Sequence, residues 1–376
     1  MDVSIVIPTF NERDNVRTLV RRIEDALHST AYTYEMWFVD DSRDDTPAIL
    51  DEISKSNQHV HYVHRENGRG LGTAVVEGFS RSQGKYLVVM DADLQHPPEV
   101  LPTMLQRLSE GIEVVIPSRF VPGGSDGGLN AFRKLVSWTA RWIGRIAIKR
   151  LRSVSDCTGG YFGLHRSVIE SAQLDPIGWK ILMEVLVKGH YQRVHEIPYE
   201  FQDRDTGESK MSMREQWNYI RHVGKLLWNS PEDRRFYLYC FVGGLGVIVN
   251  LVVMSLVFYG LHLHAVTASV IASLVAMGHN FLWNDKLTWK EHSHTVKWRR
   301  VLQMPTFMLV SGTGIAVTAL FVQLFVWLHW SELMGQCIGI VVATGWTFTA
   351  NSRWTWADPE GAQARKAKQK IHVTQE

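Results

Sequence analysis

The chain has 376 residues, 45% of them hydrophobic, which allows two or three domains and a large core. A formal net charge of +2 excludes a broadly basic nucleic-acid surface, so no nucleic-acid partner is expected. The three cysteines, Cys157, Cys240 and Cys337, are odd in number and far apart, which excludes a disulfide framework and a structural zinc site and fits a reducing compartment. Up to about Arg235 charges mix with short apolar runs, whereas from Phe236 to Ala350 charge nearly vanishes outside one loop. The pattern is that of a soluble head followed by a membrane foot.

Met1-Asp2-Val3-Ser4-Ile5-Val6-Ile7-Pro8 lacks a basic n-region and its apolar run is too short for a signal peptide, so it reads as a first buried strand. Strands are then predicted at Val3–Ile7, Tyr34–Val39, Val60–His64, Tyr86–Met90 and Ile112–Ser118, with helices between them at Asn15–Leu27, Thr46–Ser54, Gly72–Ser82 and Val100–Glu110. This alternation implies an α/β head with a Rossmann-like, mostly parallel sheet covered by helices on both faces, binding ligands beyond the carboxyl ends of its strands.

The informative polar residues fall at those ends. Pro8, Thr9, Asn11 and Glu12 follow the first strand, Asp40 and Asp41 the second, and Asp91 and Asp93 a later one. In Val88-Val89-Met90-Asp91-Ala92-Asp93-Leu94-Gln95-His96-Pro97-Pro98-Glu99, two carboxylates and an amide oxygen recur at two-residue steps after an apolar strand, and the prolines fix the chain beyond them. Asp91, Asp93 and Gln95 are therefore candidate ligands for Mg²⁺ or Mn²⁺ holding a diphosphate, because a hard cation takes oxygen ligands. Acidic residues near one crevice call for a cation or a sugar-rich ligand, although some could serve as helix caps. Asn67-Gly68-Arg69-Gly70-Leu71-Gly72 lacks the spacing of a dinucleotide loop and the Walker lysine, and reads as a tight turn with one useful arginine, Arg69.

Two later segments, about 131–148 and 212–229, have the pattern of helices lying on a membrane surface. In the first, apolar positions 132, 135, 136, 139, 142, 143 and 146 follow helical period, while Arg133, Ser137 and Arg141 fall on a shared side and could receive a lipid phosphate. The second opens on Ser212-Met213-Arg214-Glu215, a capping box, and carries Trp217, Ile220, Val223, Leu227 and Trp228. The alternative reading is that both are packing helices.

Four segments, about 238–260, 266–283, 307–328 and 333–350, reach or approach the ~20 apolar residues needed to span a bilayer. Lys286, Lys290, Lys297, Arg299 and Arg300 in the middle connection, and Arg365, Lys366, Lys368 and Lys370 in the tail, put head, middle loop and tail on the cytoplasmic face. A repeat links the two halves: Phe281, Asn284, Thr288 and Trp289 recur as Phe348, Asn351, Thr355 and Trp356, and Val242, Gly244 and Gly246 as Val310, Gly312 and Gly314. Two helical hairpins in parallel orientation, with small residues at helix contacts, are expected. The predicted domains are thus 1–235, 236–356 with four transmembrane helices, and a basic tail, 357–376.

The head resembles family-2, GT-A-type glycosyltransferases, and within them the dolichol-phosphate (polyprenyl-phosphate) mannose synthases. The resemblance rests on Ile7-Pro8-Thr9-Phe10-Asn11-Glu12, Val39-Asp40-Asp41-Ser42, the stretch from Asp91 to Glu99, and Ser118-Arg119-Phe120-Val121-Pro122-Gly123-Gly124. Asp156-Cys157-Thr158-Gly159-Gly160-Tyr161-Phe162, and Phe201-Gln202-Asp203-Arg204 with Gly207-Glu208-Ser209-Lys210, extend it. The foot resembles the GtrA-like four-helix domain that some members carry. Asp41-Ser42-Arg43-Asp44 departs from the usual Asp-Asn-Ser-Pro, and Arg69 stands where a lysine is common.

The resemblance implies an inverting glycosyltransferase that moves mannose from GDP-mannose to the phosphate of a membrane polyprenyl (dolichyl) phosphate, with Mg²⁺ or Mn²⁺ as cofactor, the bilayer as surroundings and no obligate protein partner. It implies a nucleotide-sugar site from Pro8, Thr9, Glu12, Asp40, Asp41, Arg69, Asp91, Ala92, Asp93, Arg204 and Lys210. A lipid-phosphate site would comprise Arg119, Arg133 and Ser137, and catalytic residues Asp93, Arg119, Arg133 and Asp156. An acceptor phosphate, with a second pKa of about 6, is largely ionised at pH 7 and needs no strong general base, so the lack of a catalytic dyad is expected. A UDP-glucose-dependent polyprenyl-phosphate glucosyltransferase shares nearly every motif. A processive polysaccharide synthase would usually carry Gln-x-x-Arg-Trp, which is not found, and a lipid-linked sugar flippase with a binding head is the reading from a different class.

Overall fold

A computed structural model describes the chain except residues 67, 69, 128–130, 203–212, 291–296, 358–371 and 376, with backbone only at 131–133, 297–300 and 372–375. It divides into two compact units, Met1–Asn229 with Lys368–Glu376, and Ser230–Ala367.

The first unit is built on an eight-stranded sheet of order β3-β2-β1-β4-β6-β5-β7-β8. Its strands are β1 (Val3–Thr9), β2 (Tyr34–Asp40), β3 (Val60–His64), β4 (Tyr86–Val89), β5 (Val114–Ser118), β6 (Phe162–His165), β7 (Arg193–Pro198) and β8 (His372–Gln375). Only β6 runs antiparallel to its neighbours β4 and β5, so the sheet is mostly parallel, as the strand–helix alternation predicts. Because strand side chains alternate in direction, Val3, Ile5 and Ile7 of β1 join one apolar cluster with Val88 and Met90, while Val6 joins a second on the opposite face with Leu87 and Val89.

Helices α1 (Val16–Leu27), α2 (Thr46–Ser56) and α4 (Leu101–Ser109) cover the first face, and α3 (Leu71–Arg81) and α6 (Ile181–Lys188) the second. In α1 the buried residues Val16, Leu19, Val20, Ile23 and Leu27 follow the three-and-four spacing of a one-sided helix. After β1, the chain builds outward to β2 and β3 on one side, then crosses to β4 on the other. The carboxyl ends of β1 and β4 therefore flank a topological switch point, the place where open α/β sheets bind ligands.

Helices α5 (Ala131–Ala147) and α7 (Met213–Asn229) each have a packed apolar side and an exposed one. Ala140, Ile143 and Ala147 of α5, and Tyr219, Val223 and Leu226 of α7, pack on the second cluster, and the Tyr219 hydroxyl donates to the Ala140 carbonyl. Leu135, Trp138, Trp142 and Ile146 of α5, with Trp217, Ile220 and Trp228 of α7, remain exposed. Ser212 of the capping box lies outside the described residues.

The second unit holds α8 (Pro231–Ser255), α9 (Ala265–Trp283), α10 (Lys297–Trp327) and α11 (Glu332–Ala350). Four spans, Pro231–Gly260, Ala265–Thr288, Val301–Trp327 and Glu332–Thr355, are long and apolar enough to cross a membrane. The repeat acquires a structural meaning here. Both α9 and α11 run on into a π-helical turn, Asn284–Thr288 and Asn351–Thr355, closed by the Thr288 hydroxyl donating to Asn284 Oδ1 at 2.8 Å and that of Thr355 to Asn351 Oδ1 at 2.7 Å. The following tryptophans, Trp289 and Trp356, stack with ring centroids 4.2 Å apart and planes 1° from parallel. A Cβ on Gly246 would lie 2.2 Å from Asn280, and one on Gly314 2.7 Å from Thr347. The repeated glycines thus admit the neighbouring helix in each half.

Candidate active site

At the switch point the ladder continues past the strand ends. Asp41 N–H donates to Thr9 O at 2.9 Å, Arg65 N–H to Asp40 O at 2.8 Å and Met90 N–H to Val6 O at 3.2 Å. Pro8, Thr9, Asp40, Asp41 and Asp91 are thereby brought to one edge of the sheet, together with Arg65, which no sequence motif singles out.

Asp40 is fully buried. Its carboxylate accepts from the Ser42 hydroxyl and meets His64 Nδ1 at 2.7 Å. Ser42 Oγ in turn accepts from Asn11 N–H at 2.7 Å, and Arg43 N–H donates to Asn11 Oδ1 at 2.9 Å. The network holds Asn11 at φ 54°, a left-handed conformation that asparagine tolerates better than most residues. Glu12 is set by its N–H donating to Thr46 Oγ1 at 3.0 Å and by Asn15 Nδ2 donating to its carboxylate at 2.7 Å. Asp41 is clamped by Arg65 through two bonds of 2.7 and 2.6 Å, and Arg65 also reaches Thr73 Oγ1 and Gly70 O. A Cβ on Gly68 would sit 2.1 Å from the Asp41 carboxyl carbon, and Gly70 has φ +94°. These two glycines let a tight turn close over Asp41. Asn67 and Arg69 lie outside the described residues.

Asp91 follows β4, and its N–H donates to His96 Nδ1 at 3.0 Å. The ring's proton therefore sits on Nε2, and the 3.7 Å approach of Asp91 Oδ2 to the same Nδ1 is no ion pair. Leu94 has φ 63°, which costs a branched side chain about 1 kcal/mol or more. This kink lets Gln95 N–H reach back to Asp93 Oδ1 at 3.2 Å. Gln95 Nε2 donates to Gln202 O at 3.2 Å, and Gln202 N–H returns a bond of 3.2 Å to Gln95 O. Beneath the loop, His96 stacks on Tyr161 with ring centroids 5.1 Å apart, and Tyr199 and Phe201 pack edge-on to His96. Burial pushes the Tyr161 and Tyr199 hydroxyls above the ordinary tyrosine range, so both remain protonated.

Asp91, Asp93 and Gln95 carry two carboxylates and an amide oxygen, donors of the kind that Mg²⁺ or Mn²⁺ takes. Among the described residues no group of three His, Cys, Asp or Glu side chains could hold a metal alone. Gly160 supports the fit. A Cβ there would come 3.0 Å from Asp91 Oδ2 and 3.3 Å from His96 Cε1, so any larger residue would press on the carboxylate.

Arg119 follows β5 and pairs with the fully buried Asp156, Nε to Oδ2 at 3.0 Å and Nη2 to Oδ1 at 3.4 Å. Burial opposes the guanidinium's charge, but the Asp156 carboxylate beside it outweighs this and holds the pKa above the ordinary arginine value. Asp156 is positioned by Glu196 of β7, which accepts from Asp156 N–H at 3.0 Å, Ser155 N–H at 2.9 Å and Ser155 Oγ at 2.6 Å. Two cations approach the Phe120 ring, Arg119 at 5.2 Å and Arg141 at 3.9 Å from its centre. Arg141 also donates to Ser155 O at 3.5 Å, and burial lowers its pKa. Ser137 is partly buried on the same helix. The side chain of Arg133, and Arg204 and Lys210, lie outside the described residues. Cys157, beside Asp156, is buried and its thiol is pushed up to about 12, first by burial and then by Asp156, so it is no nucleophile.

Comparison with known proteins agrees with this architecture. Residues 4–172 match the glycosyl transferase family 2 profile, and residues 238–356 the GtrA/DPMS transmembrane domain profile. A dolichol-phosphate mannosyltransferase of Pyrococcus furiosus is 37% identical over 358 residues, 95% of this chain and all of that protein. One of Saccharomyces cerevisiae is 33% identical over 237 residues, 60% of this chain and 87% of that protein. Among solved structures, the glucosyl-3-phosphoglycerate synthase of Mycobacterium tuberculosis is similar, with a TM-score of 0.47 and 18% identity, covering 61% of this chain and 79% of that one. A family-2 head, a GtrA/DPMS membrane domain and a full-length relative together mean that the chain belongs to the dolichol-phosphate mannosyltransferase family of membrane glycosyltransferases.

Proposed function

We propose that the protein transfers mannose from GDP-mannose to the phosphate of a membrane polyprenyl (dolichyl) phosphate, with inversion at the anomeric carbon. The observation that carries this reading is the juxtaposition of Asp91 and Arg119 across the Asp156–Gly160 loop. Asp156 holds Arg119 at 3.0 Å, while Gly160 leaves room for the Asp91 carboxylate. The named activities of the 37% identical full-length relative and of the yeast relative support the choice of donor and acceptor classes.

Asp91, Asp93 and Gln95 would hold Mg²⁺ or Mn²⁺, which when bound neutralises charge developing on the departing nucleotide diphosphate. Pro8, Thr9, Glu12, Asp40 and Asp41 shape the crevice for base and ribose. Asp40 and Asp41 already bond to His64, Ser42 and Arg65, so they act by fixing the loops as well as by direct contact. Arg119, oriented by Asp156, receives the acceptor phosphate with Arg133 and Ser137, and its charge-assisted bonds aim one phosphate oxygen at the anomeric carbon. Arg69, Arg204 and Lys210 are proposed as further donor-phosphate ligands on the family's pattern. The acceptor is already an anion, so no side chain has to remove a proton. Head, middle loop and tail are proposed to face the cytoplasm, where nucleotide sugars are made, with the exposed tryptophan faces of α5 and α7 in the headgroup layer.

The test is Asp93→Ala in the full chain. It is expected to abolish transfer while membrane insertion is intact; retained turnover would overturn the metal assignment.

A further inference from the structure

Lys180 stands immediately before α6, in a loop that carries no recognisable motif. Its ammonium donates to Thr158 O at 2.9 Å, and this is the one hydrogen bond it makes among the described residues. An ammonium has three N–H donors, so two are left for other acceptors. No carboxylate among the described residues lies in ion-pair reach of it, whereas Arg119 is matched by Asp156 at 3.0 Å.

The position of Thr158 decides where Lys180 is. Two residues before it is Asp156, the partner of Arg119; two residues after it is Gly160, which abuts the Asp91 carboxylate. Lys180 therefore sits on the seam between the two halves of the site, with Arg119 on one side and Asp91 on the other. Burial, reinforced by Arg119, holds its pKa below the ordinary lysine value, opposed by Asp156 and Asp91. A partly buried cation with spare donors and no counter-ion is costly until an anion arrives. The anion at such a seam is a phosphate.

We propose that Lys180 binds a phosphate oxygen of the reactants between Asp91 and Arg119. The inference rests on the transferase reading above. Two sources share the chemistry, the monoester of the polyprenyl phosphate and the sugar-bearing phosphate of the donor. The loop is held by two bonds: Gly178 O accepts from Gly72 N–H at 3.0 Å and Ile177 N–H donates to His222 Nδ1 at 3.1 Å. These bonds tie the segment before Lys180 to α3 and α7.

The experiment uses full-length Lys180→Met and Lys180→Arg in detergent. GDP binding with Mn²⁺ is measured by calorimetry, binding of a short polyprenyl phosphate by tryptophan fluorescence, and the melting temperature alongside. Lys180→Met is expected to weaken one of the two ligands by about 10- to 100-fold, with Lys180→Arg recovering most of the loss. Weakened polyprenyl phosphate with unchanged GDP assigns the acceptor; the converse assigns the donor. If both affinities stay within about twofold, or both fall only in step with a melting temperature lowered by more than about 3 °C, Lys180 is a loop anchor and the proposal is overturned. A wild-type protein that makes no lipid product would refute the transferase reading separately, since neither binding measurement needs turnover.

Discussion

Gly160→Ala isolates the space beside Asp91 from everything else in the head. The added methyl carbon would lie 3.0 Å from Asp91 Oδ2 and 3.4 Å from Oδ1, against an ordinary carbon–oxygen contact of roughly 3.4 Å or more, so the nearer oxygen must move by a few tenths of an ångström. Its neighbour on the other side, His96, is fixed by the Asp91 N–H bond of 3.0 Å and the stack on Tyr161 and cannot yield easily. Magnesium demands near-ideal octahedral geometry at about 2.0–2.1 Å, and disturbing a ligand's support typically costs about 10- to 100-fold in metal affinity. That is about 1.4–2.7 kcal/mol. Gly160 does not have the positive φ that would strain an alanine backbone, so the fold is expected to survive with its melting temperature nearly unchanged. Mn²⁺ binding followed by electron paramagnetic resonance, with transfer measured across a Mn²⁺ titration, reads the effect. An unchanged Mn²⁺ affinity in a folded variant would refute the placement of the metal at Asp91.

Asp156→Asn leaves Arg119 buried without its countercharge, and removing one partner of such a pair costs about 3–5 kcal/mol. The melting temperature and the kcat/KM for polyprenyl phosphate should both fall, the latter by about 100-fold or more; normal acceptor kinetics would show that Arg119 does not need this partner. His222 is fully buried, with its pKa lowered from 6.5 chiefly by burial and only partly restored by Glu184. The unfolded chain therefore binds the proton more readily, so stability is unaffected above pH 6.5 and falls as the pH drops from there towards the lowered native value. His222→Gln should flatten that acid limb in melting scans; a limb of unchanged slope would assign it elsewhere. In the membrane unit, Asn284→Ala and Asn351→Ala each remove the acceptor of one threonine hydroxyl and should destabilise by about 1 kcal/mol, Asn351→Ala somewhat more because its Nδ2 also donates to the Tyr239 hydroxyl at 3.4 Å; a clearly larger loss at Asn284 would contradict this account of the repeats.

The strands of the parallel half were legible because β1 and β4 are apolar on both faces, and the Asp-x-Asp loop because its spacing is local. Three later strands, β6, β7 and β8, were missed, the first two for physical reasons. Phe162–His165 is only four residues long, and Arg193–Pro198 carries His195 and Glu196, both almost fully buried. A buried carboxylate that cages two backbone amides looks, in sequence, like a solvent-facing one. Arg65 and Lys180 escaped notice because their partners Asp41 and Thr158 are 24 and 22 residues away, and no periodicity records such a contact. Arg119 and Asp156 entered only through family resemblance, and their pairing across 37 residues was not foreseen. The Asn–Thr–Trp repeat was visible as letters, but its use, two π-turns delivering a stacked tryptophan pair, needed three dimensions.

The central claim is mannosyl transfer to a lipid phosphate, and radiolabel transfer tests it most directly. Purified protein with polyprenyl phosphate and Mg²⁺ or Mn²⁺ is given GDP-[¹⁴C]mannose in one vessel and UDP-[¹⁴C]glucose in another, and organic-phase label is counted. The account predicts labelled lipid from GDP-mannose alone. Label from UDP-glucose alone would contradict the donor assignment, and no lipid label from either would contradict the proposed reaction.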